Sequence, residues 1–213
     1  MIASLILAAA FVGTEPRPPI WHFFGRQERS GIFRDHGYIY PASIASVTYV
    51  ADVTLDALPA DGGRAAVCGR TGWHNALVVL PDGRLDFGCF SYDGKKGFNV
   101  KSKTKLVPGR QYRLAAVVDC SHGNETRLAL YVDGIKEAEG VAFEGAPWRY
   151  PWRVWAGQLG EENGKPRWPL PGTVRNFWYF HQPLSSDEIM SLPDRPSGRN
   201  ANRQTVKVFH ETT

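Results

Sequence analysis

The sequence predicts an all-β chain: an antiparallel two-sheet β-sandwich of the jelly-roll kind, with one short helix near the C-terminus. Three observations carry this. Apolar residues alternate with period two over long stretches, as on half-buried strands. Turn signals recur every ten or so residues, which suits a sandwich rather than a helical bundle. Only one segment carries the start and stop signals of a helix.

The elements follow in order. "SVTYVADVTLDAL" (Ser46–Leu58) sets Val47, Tyr49, Ala51, Val53 and Leu55 on one face and Ser46, Thr48, Asp52 and Thr54 on the other. "RAAVCGR" and "NALVVL" are the next strands, and the latter turns back through "PDGR" (Pro81–Arg84) into "LDFGCF". Pro and Asp-Gly supply that turn's geometry. "GRQYRLAAVVD" (Gly109–Asp119) is a long strand, "SHGNET" a polar turn, and "RLALYVDG" (Arg127–Gly134) the return. "RVWAGQ" and "GTVRNFWYF" complete the set; in the latter Trp178 and Phe180 alternate with Phe177 and Tyr179, so both faces are apolar and the strand lies between layers. The helix is Ser185–Leu192, where Ser185 and Glu188 have the spacing of a capping box and Pro193 ends the run.

The 213 residues suit one domain with an ample core. Residues 1–19 read as a signal peptide or an N-terminal extension, 20–192 as the sandwich, and 193–213 as a polar tail, with Thr205–His210 as an added edge strand or disordered. The apolar run Met1–Gly13 is too short to span a bilayer, and Ala8-Ala9-Ala10 has the small side chains of a cleavage site. This points to a secreted or surface-associated chain; retention of Met1 would fit a virion or cytoplasmic protein instead. Net charge is +4, but the basic residues are scattered, which argues against nucleic acid. The densest basic patch, "DGKKGFNVKSKTK" (Asp93–Lys105), reads as a solvated hairpin. Cys68, Cys89 and Cys120 have no metal-ligand spacing and read as thiols, with Cys68 and Cys89 two strands apart and beyond disulfide reach.

The order of "FRDHGYIYP", "GRQYRLAAVVD", "LYVDG" and "GTVRNFWYFHQPLSSDEI" over residues 20–192 resembles the laminin-G-like and pentraxin-like domains of the concanavalin A-like lectin/glucanase superfamily. The resemblance implies the jelly-roll fold. It is poorly specific for function, because that fold hosts lectins, adhesion modules, enzymes and spacers. Asp133-Gly134 fits a tight turn and Asp133 is not counted as a ligand, while Ile189 and Leu192 are expected to plug one end of the sandwich. Glucanases of the superfamily carry alternating Glu-x-Asp-x-Glu on one strand, which aims their carboxylates at one substrate. That pattern is absent here, and no nucleophile elbow occurs, so the chain is read as not an enzyme.

Two binding constellations follow. Pentraxin-like members hold calcium in two loops; "GWHNALVV" and "WAGQLGEENG" occupy the corresponding places, so the resemblance implies a Ca²⁺ shared by Asn75, Glu161, Glu162 and Asn163, against the plainer reading of a solvated acidic loop. Aromatic side chains suit the CH face of a sugar. Trp148, Tyr150 and Trp168 stand in Pro-rich loop sequence, with Trp73 and His74 at the same end, whereas Trp152 and Val154 are assigned to the core. The leading function is a non-catalytic module that binds a glycan or a glycosylated or protein partner through loops. The alternatives are a structural surface or particle-decorating domain and a glycan-active enzyme with an unrecognised site. Oligomeric state is not specified. "NET" (Asn124–Thr126) fits an N-glycosylation acceptor.

Overall fold

The computed structural model describes residues 21–27, 31–33, 46–70, 75–91, 94–145, 154–162 and 165–193. These form, in chain order, β1 (Trp21–Gln27), β2 (Gly31–Phe33), β3 (Val47–Leu55), β4 (Ala65–Arg70), β5 (Ala76–Val79), β6 (Arg84–Phe90), β7 (Gly97–Lys105), β8 (Gln111–His122), β9 (Glu125–Val132), β10 (Ile135–Glu144), β11 (Val154–Ala156), β12 (Glu161–Glu162), β13 (Lys165–Pro166), β14 (Gly172–Phe180) and α1 (Ser186–Ser191). Sheet one has the order β1-β14-β3-β8-β9-β10 and sheet two the order β2-β11-β4-β5-β6-β7; β12 and β13 make a separate hairpin. Every pairing among them is antiparallel. The result is the jelly-roll β-sandwich.

Alternation explains the core. Val47, Tyr49, Ala51, Val53 and Leu55 of β3 meet Val67, Leu77, Phe87 and Val154 of sheet two, all fully or almost fully buried. Tyr49 stacks on Tyr179 and Phe177 of β14, with ring centroids 5.3 and 6.5 Å away. Cys68 and Cys89 lie in this layer as free thiols on β4 and β6, with β5 between them. Burial raises the pKa of both, that of Cys89 to about 12.

The other face of sheet one is also covered. Val50, Ala115, Val117, Tyr131, Trp178 and Phe180 pack under Leu184, Ile189 and Leu192. These last residues therefore lie across a sheet face rather than plugging an end of the sandwich. The capping box is present: Ser185 Oγ accepts from the Glu188 amide at 3.3 Å, and Glu188 Oε2 accepts from the Ser185 amide at 2.7 Å. A buried polar cluster fixes the helix to the sheet. Arg113 donates to both carboxylate oxygens of Asp52 at 2.8 and 3.1 Å, lies 5.1 Å over the Trp178 ring, and donates to the Leu192 carbonyl at 2.7 Å. Asn176 donates to the same Asp52 at 2.6 Å. Asp133 accepts from the Arg113 amide at 2.8 Å, which gives that turn residue a structural task.

One pair of sheet edges is tied together. Glu137 of β10 reaches over to β7, where it accepts from the amides of Lys103 and Thr104 at 2.9 and 2.8 Å and from Thr104 Oγ1 at 2.8 Å. Burial alone would raise its pKa; the hydrogen bonds from Thr104 and Lys103 outweigh that and hold the carboxyl below its ordinary value.

Three local readings are refined. The basic patch lies on a hairpin, as expected, whose second arm, Gly97–Lys105, is an edge strand with its lysines exposed and Val100 and Ser102 buried on its inner side. Because β8 runs to His122 and β9 starts at Glu125, the expected polar turn narrows to Gly123-Asn124. The stretch after Asp133-Gly134, to which the sequence patterning assigns no element, is the ten-residue strand β10.

Candidate functional site

The outer face of sheet two carries a cleft. Strand register places Ala66, Val78, Asp86 and Lys101 in one row across β4, β5, β6 and β7, and Ala76, Gly88 and Asn99 in the next. Small side chains on β5 and β6 leave a hollow there. Its volume is about 120 Å³, its floor is Ala76, Val78 and Gly88, and its walls are Arg64, Phe90, Asp86 and Asn99.

Each wall residue is placed by local structure. "LDFGCF" alternates Leu85, Phe87 and Cys89 into the core, so Asp86, Gly88 and Phe90 face outward. Gly88 makes room for Asn99: a Cβ there would stand 3.2 Å from Asn99 Cγ. Asn99 can then donate to Asp86 Oδ1 at 2.9 Å. Arg64 stands just before β4, with its guanidinium 5.6 Å over the Trp168 ring. A second arginine, Arg167, lies 4.9 Å over the same ring. Trp168 itself packs with Ala66, Ala76, Val78 and Leu159, and its carbonyl accepts from the Ala66 amide at 2.8 Å.

The chemistry on offer is mixed. Arg64 and Asn99 are donors, Asp86 is an acceptor, and Phe90 with Ala76 and Val78 gives apolar contact. Among the lining residues there is one carboxyl, Asp86. Other strand acids are engaged elsewhere: Asp52 with Arg113 and Asn176, and Glu137 with β7.

The expected site residues divide. Trp73, His74, Trp148, Tyr150 and Asn163 lie outside the described residues, as does Trp152. Trp168 is adjacent to the cleft but backs Arg64 instead of lining the hollow. Val154 is in the core, as expected, and Trp155, on the opposite side of that strand, is buried too. Asn75 is buried at the entry to β5 with φ 55°, a left-handed conformation that asparagine tolerates well. Glu161 and Glu162 form β12, paired with Pro166 and Lys165. Among the described residues, no three His, Cys, Asp or Glu side chains gather to hold a metal. Arg64, Asp86, Gly88, Phe90 and Asn99 were not expected. The signal for the middle three was the outward D-x-G-x-F face of β6, where a glycine between an acid and an aromatic is unusual on a strand.

The Laminin_G_3 family model, described as the concanavalin A-like lectin/glucanases superfamily, matches residues 39–190. The chain belongs to this superfamily. No curated protein sequence matches it. Superfamily membership agrees with the solved structures it resembles. One is the Ruminococcus gnavus IT-sialidase CBM40 bound to alpha2,3 sialyllactose, at 13% identity and TM-score 0.56, covering 81% of this chain and 97% of that one. A second is the NanB sialidase of Streptococcus pneumoniae, at 16% identity and TM-score 0.60–0.61, covering 83% of this chain and 28% of that one. A third is a Trypanosoma rangeli sialidase, at 17% identity and TM-score 0.51, covering 71% of this chain and 23% of that one. This superfamily member therefore spans about the whole of the CBM40 chain and a minor part of either sialidase. At these identities the likeness is one of fold. Among the described residues, no helix is long and apolar enough to cross a membrane.

Proposed function

We propose that this domain recognises a carbohydrate in the cleft on the outer face of sheet two, without catalysing a reaction. The observation that carries the reading is the joining of Arg64, Asp86 and Asn99 with an apolar floor and Phe90 in one hollow. Charged and amide groups can pair with sugar hydroxyls, and the apolar surface can take a ring's CH face. The structural likeness to a carbohydrate-binding module in complex with sialyllactose supports the choice of ligand class. A glycosidase needs two carboxyl groups flanking the bond, whereas one lines this cleft and Asn99 engages it. An extracellular or surface location suits such a role, and mass spectrometry of the mature N-terminus from the native host tests it.

The test is a glycan array of neutral and sialylated oligosaccharides, read with the wild-type domain and Arg64→Ala. Saturable binding that weakens in the variant supports the reading. A blank array favours the structural surface domain. A Ca²⁺ at Glu161, Glu162, Asn163 and Asn75 is the second part of the proposal. It predicts a higher melting temperature in millimolar calcium than in chelator, and equal melting temperatures would refute it.

A further inference from the structure

We propose that Lys101, Lys103 and Lys105 form a second subsite for the anionic groups of an acidic polysaccharide that continues out of the cleft. The inference rests on the carbohydrate reading and names its ligand class. The three lysines are exposed on β7, at every second position. Four residues of extended strand span at most about 13 Å, so the row offers three charges over that length, bent at the register shift between Lys101 and Lys105. Lys101 stands directly opposite the cleft residue Asp86, and Asn99, two residues earlier, is in the cleft wall.

Nearby acids form no ion pair with the row among the described residues, although Glu137 and Asp82 feel the charges of Lys103 and Lys105. Asp86 accepts from Asn99, Asp82 is paired with Arg84 at 2.6 Å, and Glu137 accepts from the Lys103 and Thr104 amides and the Thr104 hydroxyl. Among the described residues, none of the three lysine side chains has an ion-pair partner.

Edge lysines commonly guard against strand addition. Here that task is already met in the second half of the strand. The register of β7 shifts between its pairings with Asp86 and Arg84, and Glu137 takes the Lys103 and Thr104 amides. Lys103 and Lys105 are therefore not required for edge protection, which leaves their charges available to a ligand. A nucleic acid strand fits less well, because single-strand sites interleave cations with aromatic stacking surfaces. The outward positions Asn99, Lys101, Lys103 and Lys105 contain no aromatic.

The experiment measures binding of dextran sulfate, polygalacturonate, neutral dextran and single-stranded oligodeoxythymidylate to the full chain. It compares the wild type, a K101Q/K103Q/K105Q variant and Arg64→Ala at 50 and 200 mM salt. Three neutralised charges predict a fall in affinity of roughly twentyfold to fortyfold between the two salts for the acidic polysaccharides. The triple variant is expected to lose at least tenfold at the lower salt and most of the salt dependence, with an unchanged melting temperature. Arg64→Ala is expected to weaken the same ligands. Wild-type binding by the triple variant, or equal affinity for the oligonucleotide, would overturn the proposal. So would acidic binding that ignores Arg64, since the subsite would then not extend the cleft. Array binding of short oligosaccharides with no gain for acidic polymers removes this inference alone; a blank array removes the cleft reading itself.

Discussion

Arg64→Ala separates a binding site on the face of sheet two from one in the loops. Arg64 lines the cleft and stacks on Trp168, so truncation removes a charged donor from the hollow and one cation–π contact from the fold. A hydrogen bond to a charged group contributes about 1.5–3 kcal/mol. At 1.4 kcal/mol per decade, that is roughly a 12- to 140-fold rise in Kd for whichever glycan the array identifies. The structural loss is much smaller. A cation–π contact at an exposed site is worth about 0.5–1 kcal/mol, which shifts Tm by about 1–4 °C in a domain of this size. Calorimetric titration beside a thermal melt reads both numbers on one preparation. If Arg64→Ala binds within threefold of wild type while Trp148→Ala or Tyr150→Ala abolishes binding, the cleft is not the site and the loops are.

Three further outcomes follow from the geometry. Ala76→Leu adds three carbons to the floor of a hollow of about 120 Å³ and should abolish binding, at a cost of about 1–3 kcal/mol because Ala76 also packs with Leu159 and Trp168; retained affinity in titration of the folded variant would show that the ligand sits elsewhere. Asp52→Ala strands Arg113 and Asn176 beneath α1, so it should cost about 3–5 kcal/mol in urea unfolding; a loss below about 1 kcal/mol would mean the pair behaves as a surface ion pair. Glu137→Gln should destabilise the domain at neutral pH. Because the folded carboxyl has a lowered pKa, wild type holds its advantage above its ordinary value near 4.5 and loses it as pH falls through the folded pKa; an advantage unchanged across that range would refute the edge tie.

The parts that were legible beforehand are those where one physical rule dominates. Strict alternation on β3 gave the correct inward face, the Asp82-Gly83 turn formed as expected, and the capping box at Ser185 and Glu188 is present. β10 escaped because its apolar period is broken twice, at the register shifts between Lys136 and Ala138 and between Val141 and Phe143. Its one buried acid, Glu137, finds partners 34 and 33 residues away, which local patterning cannot show. The cleft was hidden for a related reason. Its members come from before β4 and from β5, β6 and β7, and become neighbours only through register. Trp168 was noticed as an aromatic, but its role as the support for Arg64 depends on the hairpin that returns the chain to Ala66.

The chain enters sheet one through β1, which lies beside β14, and α1 after β14 rests on the same sheet's outer face. The cleft opens on the opposite sheet. Whatever docks against the α1 face therefore leaves the cleft open, so the two faces of the sandwich can be occupied at the same time.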